Sequence, residues 1–387
     1  MRVFVVILAL SLIAIPEARS SHEEFMFGVV AYHIPFDSYR IEDEDLSKIA
    51  KIGANWISVD FAWKDIEPER GMFDFSYYDL LVSGAKKHGL EIFARLGNGY
   101  NSVRPTVPEW AINLSVEEYE QNIGRYAFAV AERYSTDLNY YALENEPNSF
   151  HMHLLNGWRS NRWSEERIFS TIGALENGIR EGDPEGVIAL SVAFTTGWLG
   201  WIERAGEQVS YDLLAVNTYK SPAVISHIIR KMREMDLDVI ISETGLSTAD
   251  RSEGEQADFV RDSVLAARQS GAKGIFIYQY RDNPEEMNKK ERFFGLIRSD
   301  GSEKMAFQEY SNAVETIKNG PSITSSELGF RDRLSILIFE NEFLSGVIDS
   351  CLDLLVKLCM EHPRFHDLYL RFMDTSWFSS MANPLRY

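Results

Sequence analysis

The chain has 387 residues, of which 45% are hydrophobic and 12% aromatic; its net charge is −19 and it contains two cysteines. That length and apolar content can build one large domain or two ordinary ones, each with a sizeable core. The acidic balance argues against nucleic acid, whose phosphates need clustered Lys and Arg, and suits a neutral or cationic ligand.

At the N-terminus, Arg2 precedes an apolar run from Val3 to Ile15, and Ala18-Arg19-Ser20 follows. This is the three-part pattern of a secretory signal, and the run is shorter than the roughly 20 apolar residues of a bilayer span. Residues 1–20 are therefore expected to direct export, giving a secreted, extracytoplasmic protein. An uncleaved anchor, with membrane association, is the alternative. Cys351 and Cys359 lie too far apart on a straight helix to bridge, so disulfides do not define the fold. No Cys/His spacing suggests zinc.

From residue 25 to 318, short apolar runs alternate with longer amphipathic ones. Strands are expected at 25–32, 55–61, 91–96, 140–146, 187–192, 213–217, 239–243 and 274–280. Helices are expected between them: 42–52, closed by Gly53; one capped by Ser76 and running to His88; a long one opened by the Ser115/Glu118 capping box; one from Ser164 to about Glu181. Further helices follow near Trp198–Ala205 and over 223–235, 253–269 and 304–317. Eight strand–helix pairs predict an α/β fold with a parallel sheet closed as a (β/α)8 barrel over residues 21–320. No GxGxxG follows the first strand, which weakens the dinucleotide-binding alternative.

Two of these strands end in a carboxylate. Tyr140-Tyr141-Ala142-Leu143 runs into Glu144-Asn145-Glu146-Pro147, and Val239-Ile240-Ile241-Ser242 into Glu243-Thr244-Gly245. Barrel enzymes keep their chemistry at the carboxyl ends of strands. A pair of carboxylates there is what glycosidic hydrolysis needs: an acid for the leaving oxygen, and a second group for the sugar carbon or for water. Aromatic residues cluster in the expected strand-end loops: Tyr32, Trp63, Tyr100, Trp110, Trp158, Trp163, Trp198 and Trp201. Two or three of them are expected to stack on sugar rings, the others to pack in the core. His33 and His153 fall in the same loops.

These motifs resemble the clan of retaining (β/α)8 glycoside hydrolases, relatives of cellulases, mannanases, β-xylosidases and β-galactosidases. Asn145-Glu146-Pro147 resembles the clan's acid/base motif after the fourth strand, and Ser242-Glu243-Thr244-Gly245 its nucleophile motif after the seventh. Ile57–Trp63 with Ile66–Gly71, Pro108-Glu109-Trp110, and Phe294–Ile297 with Asp300-Gly301 resemble its loop segments. The resemblance implies Glu146 as acid/base and Glu243 as nucleophile. It implies substrate contacts from Asn145, Asn217, Tyr219, Trp63, Trp110 and Tyr278, a poly- or oligosaccharide substrate, and neither metal nor cofactor. Three departures stand out. Ser58 occupies the place of an arginine that helps keep the nucleophile ionised. Asn217 stands where many members have His. The last strand carries Ile277 or Tyr278 in place of a tryptophan. Arg95, ending the third strand, either restores the missing charge or makes a structural salt bridge. A catalytically inactive glycan-binding protein of the same fold is the alternative function.

After Gly320-Pro321 the composition changes. Residues 321–387 read as a linker and helices, with Leu337, Leu344, Ile348, Cys351, Leu355 and Leu358 forming one amphipathic stripe and a second piece following His362-Pro363. The stripe is expected to dock on the barrel's outer helices or to mediate self-association.

Overall fold

The computed structural model describes residues 24–31, 40–97, 106–149, 164–284, 290–320, 327–362 and 364. Eight parallel strands form a closed barrel: β1 (Met26–Val30), β2 (Trp56–Phe61), β3 (Glu91–Leu96), β4 (Tyr140–Leu143), β5 (Val187–Ala193), β6 (Leu213–Asn217), β7 (Val239–Thr244) and β8 (Gly274–Ile277). Each pairs with the next, and β1 closes on β8, with Met26 opposite Gly274. The fold is the (β/α)8 barrel expected from the sequence.

Local chemistry sets the helix starts. Ser115 Oγ accepts the Glu118 N–H, and the Glu118 carboxylate accepts the Ser115 N–H at 3.2 Å. Ser252 and Glu255 repeat the motif before the helix Glu253–Ser270. One expectation needs correction. Ser76 is the first helical residue rather than the cap; its N–H donates to Asp74 Oδ1 at 2.9 Å.

Two apolar layers result. The larger lies between strands and helices and includes Ile57, Val59, Leu143, Ile241 and Ile275. The smaller fills the barrel interior with Met26, Val30, Trp56, Phe93, Tyr140, Ile240 and Phe276. Strand alternation makes the division, because successive side chains point to opposite faces. At Gly28 a Cβ would come within 2.1 Å of the Phe276 ring, so glycine is what lets that ring fill the floor. Above the floor the interior turns polar: Ser58, Asp60, Arg95, Ser191, Asn217 and Ser242 are all buried.

β8 is shorter than expected, ending at Ile277. The Tyr278 N–H beyond it donates to Thr244 O at 2.7 Å, and the Tyr278–Gln279 peptide is cis. In the C-terminal extension, the single expected stripe is instead two helices, Phe330–Glu340 and Glu342–Glu361. Asn341 breaks the run and caps the second helix, its Oδ1 accepting the Leu344 N–H at 2.9 Å. The break changes the phase, so Leu337 and Cys351 are exposed while Leu344, Ile348, Leu355 and Leu358 are half-buried. The pair docks on the barrel. No described helix is long and apolar enough to cross a membrane.

Candidate active site

The strand ends bring the two glutamates to one mouth by different backbone devices. After β4, Glu144 and Glu146 adopt left-handed conformations, with φ of 57° and 52°. Each such residue costs on the order of 1–3 kcal/mol and persists where its surroundings over-determine it. Here Ser191 Oγ accepts the Glu146 N–H at 3.3 Å, Pro147 starts a tight turn, and the Asn148 amide clasps both backbone groups of Ala193 at 2.8 Å. On β7 the device is a register shift. Val216 pairs with Ile241, but Asn217 pairs with Glu243, skipping Ser242. Strict alternation from the inward-facing Ile240 would turn Glu243 outward; the extra residue returns it to the interior face beside Asn217.

Glu243 is buried and both of its oxygens accept hydrogen bonds. Arg95 Nη1 donates to Oε1, and the Tyr219 hydroxyl to Oε2 at 2.7 Å. Burial first, and then the Glu243 charge, push the Tyr219 phenol well above its usual range, so it remains a donor. Arg95 is itself held by Asp60, Nε to Oδ1 at 2.5 Å, across the register pair Asp60–Arg95 of β2 and β3. The guanidinium thus reaches Glu243 from β3, above the small Ser58 that stands in the place of the β2 arginine. It makes buried ion pairs with both Asp60 and Glu243.

A relay of amides links this cluster to Glu146. Asn145 Oδ1 accepts from Arg95 Nη1 at 3.3 Å and from Asn217 Nδ2 at 3.0 Å. Asn217 Nδ2 also donates to Glu146 Oε1 at 3.1 Å, and its Oδ1 accepts from Ser242 Oγ at 2.7 Å. Both of the bonds to Asn145 fall on its Oδ1, and the residue is buried. Glu146 is half-buried and meets solvent, whereas Glu243 is buried. Tyr278 is also half-buried and stands edge-on to Tyr219 at 5.7 Å and to Phe294 at 5.3 Å, a small aromatic wall beside Glu243. At Gly245 a Cβ would lie 2.1 Å from Tyr278 O, so this glycine lets the loops after β7 and β8 close together.

Other expected contacts are not brought here. Trp63 is a correction. It is 1% exposed, packs edge-on against Trp110 and Tyr119, and donates its indole N–H to Glu67 Oε2 at 2.8 Å. A short helix, Trp63–Ile66, carries it backwards into the core. Trp110 is half-buried in the same cluster, with its N–H donating to Glu67 O at 3.0 Å, and no described contact joins it to the glutamates. Trp198 and Trp201 are likewise buried, at 0% and 3% exposure, against Phe194 and Phe169. Tyr32, Tyr100, Trp158, Trp163, His33 and His153 lie outside the described residues. Ser191 was missed by sequence reasoning, although period-two reading of β5 from Ala189 would have placed it inside. Among the described residues no His/Cys/Asp/Glu group could hold a metal.

A closed (β/α)8 barrel with glutamates after β4 and β7, the second clasped by an arginine and a tyrosine, is the arrangement that the resemblance to (β/α)8 glycoside hydrolases implied. The comparisons with known proteins agree. The family model described as Beta-galactosidase matches residues 36–136. No curated protein matches significantly. Among solved structures, the chain resembles GH5_18 from Streptomyces cattleya in complex with GlcNAc, at 15% identity and a TM-score of 0.62, over 74% of this chain and 77% of that one. It resembles a family 39 glycoside hydrolase from Bacteroides cellulosilyticus WH2 at 18% and 0.59, over 77% and 65% respectively. It also resembles a beta-glucosidase from Thermotoga maritima in complex with cyclophellitol, at 15% and 0.58, over 77% and 98%. At these identities the structural likeness concerns the fold. With the family match and the site, it bears out the resemblance read from the sequence and supports a glycosidase.

Proposed function

We propose that the protein hydrolyses β-linked glycans or glycosides by double displacement, with retention at the anomeric carbon. The observation that carries this reading is the unequal treatment of the two glutamates. Glu243 is buried with a donor on each oxygen, which fixes its carboxylate in one orientation for attack. Glu146 opens to the cleft, where it can reach a leaving oxygen.

In the first step a Glu243 oxygen bonds to the anomeric carbon as the glycosidic bond breaks, and Glu146 gives its proton to the departing oxygen. The resulting ester removes the negative charge of Glu243. In the second step Glu146, now a carboxylate, takes a proton from water, whose oxygen bonds to the anomeric carbon and releases Glu243. Arg95 and Tyr219 hold Glu243 during attack and receive its charge again on release. Asn145 donates from its amide to a sugar hydroxyl beside the reacting carbon.

Ser58 was the feature favouring an inactive glycan-binding protein; the contact of Arg95 with Glu243 removes that ground. Purified protein should be screened on aryl β-glucosides, β-galactosides and β-mannosides. The anomeric configuration of the first-formed product is then read by NMR. Glu243→Gln should abolish turnover. Glu146→Ala should retain activity on activated leaving groups and gain rate with azide. Product of inverted configuration would refute double displacement, and a wild type silent on every β-glycoside would refute the hydrolase. Export follows from the residue 1–20 pattern; N-terminal sequencing of protein recovered from the medium tests it, and an intact Met1 on cell-bound protein would refute it.

A further inference from the structure

We propose that the C-terminal helix pair is a positioning element of the active site, bracing the β6 loop that presents Tyr219 to Glu243. The proposal rests on the hydrolase reading for its kinetic consequences, but not for its structural one.

The pair is seated at the mouth end of the barrel, against the segments that follow β5 and β6. From the helix Phe330–Glu340, Asp332 Oδ2 accepts the Ser221 hydroxyl at 2.9 Å, and Glu340 Oε1 meets His227 Nε2 at 2.8 Å. Phe339, 1% exposed, lies edge-on to Phe194 at 5.1 Å, and the ammonium of buried Lys220 lies 5.6 Å from the Phe339 ring centroid. From the helix Glu342–Glu361, Asp349 Oδ1 accepts from Thr196 Oγ1 at 3.0 Å, and Ser345 Oγ accepts the Gly197 N–H at 3.1 Å. Apart from His227, which lies on the helix after β6, these barrel residues sit close in sequence to Ser191 or Tyr219 of the polar network. Lys220 and Ser221 directly follow Tyr219. The Phe194 N–H donates to Asn217 O at 2.9 Å, and the Thr218 N–H to Glu243 O at 2.9 Å.

Phe339 thus wedges between the tips of β5 and β6 and fixes the strand end from which Asn217 reaches Glu146 and Tyr219 reaches Glu243. A hydrogen bond at 2.7 Å to a carboxylate depends steeply on donor placement. A loosened β6 loop loses the Tyr219 contact before the barrel itself is disturbed.

In the full-length protein, Phe339→Ala should lower kcat on an aryl β-glycoside about tenfold, the loss of one charge-assisted hydrogen bond, with KM little changed. Phe343→Ala, 77% exposed on the free face, should leave both constants unchanged. Combined with Tyr219→Phe, Phe339→Ala should add little, because both act through one contact. Asp332→Asn should give a smaller fall of the same kind, and serves if Phe339→Ala does not fold. Amide hydrogen exchange over residues 217–221 should quicken in both variants whether or not any substrate is turned over, which separates this inference from the proposed reaction. Unchanged exchange in folded variants, or full additivity with Tyr219→Phe, would overturn the proposal.

Discussion

Arg95→Met removes the charge between Asp60 and Glu243 while keeping most of the side-chain volume. Both carboxylates are buried, at 2% and 3% exposure, so solvent cannot replace the guanidinium. Each charge-assisted hydrogen bond contributes about 1.5–3 kcal/mol. Leaving buried charges without their partner costs about 3–5 kcal/mol in stability. For a barrel of this size the unfolding entropy makes that a fall in Tm of roughly 5–8 °C. In the proposed reaction the arm to Glu243 also serves the chemistry, and losing about 3 kcal/mol of transition-state stabilisation lowers kcat about a hundredfold. Ser58→Arg in the Arg95→Met background should recover part of that rate. Residue 58 pairs with Phe93 one layer below Asp60–Arg95. An arginine there starts roughly 6–7 Å deeper along the strand, a gap its side chain can span. Thermal melts and steady-state kinetics on an aryl β-glycoside measure both effects. A folded Arg95→Met protein with the wild-type Tm and kcat/KM would refute the assignment of Arg95 to Glu243.

Asn145→Ala should lower kcat more than it raises KM, because in the proposed reaction its amide acts on a sugar hydroxyl whose hydrogen bond strengthens in the transition state; equal kcat/KM for variant and wild type would end that role. Trp63→Phe removes a donor 2.8 Å from the fully buried Glu67 and should cost about 1–3 kcal/mol of stability with KM unchanged; a selective rise in KM would return Trp63 to the cleft. Burial, partly opposed by the Asp332 charge, pulls Lys220 from its ordinary 10.5 down to about 8. Between those values the unfolded chain holds a proton that the native protein has released, so this group makes stability rise with pH, and below them its burial cost is fully present. The stability gap between Lys220→Met and wild type should therefore be flat up to about pH 8 and move in the wild type's favour by pH 10.5. Melts across that range check this, and a gap independent of pH would refute it.

Much of the fold was legible in the sequence because it is local. Apolar runs ending in turn residues mark the buried strands, and serine–glutamate pairs three apart mark the helix starts. Strand alternation, applied to β2 and β3, already places Asp60 and Arg95 on one face. The motif order likewise located Glu146 and Glu243 at strand ends. What alternation could not show was that Glu243 faces the interior at all. That depends on the skipped pairing at Ser242, a property of β7 against β6 rather than of either strand alone. Nor could the sequence choose between the two readings of Arg95, since its partners lie on β2 and β7 and meet it only when the barrel closes. Trp63 and Trp198 have the composition of sugar-stacking residues and the surroundings of core residues. Aromatic side chains serve both purposes, and only the packing of neighbouring loops decides which face of the protein they join. The helical character of the extension was visible as apolar periodicity, but neither its break at Asn341 nor its seat beside Tyr219 was. Periodicity reports which face of a helix is buried and carries no information about the surface that buries it.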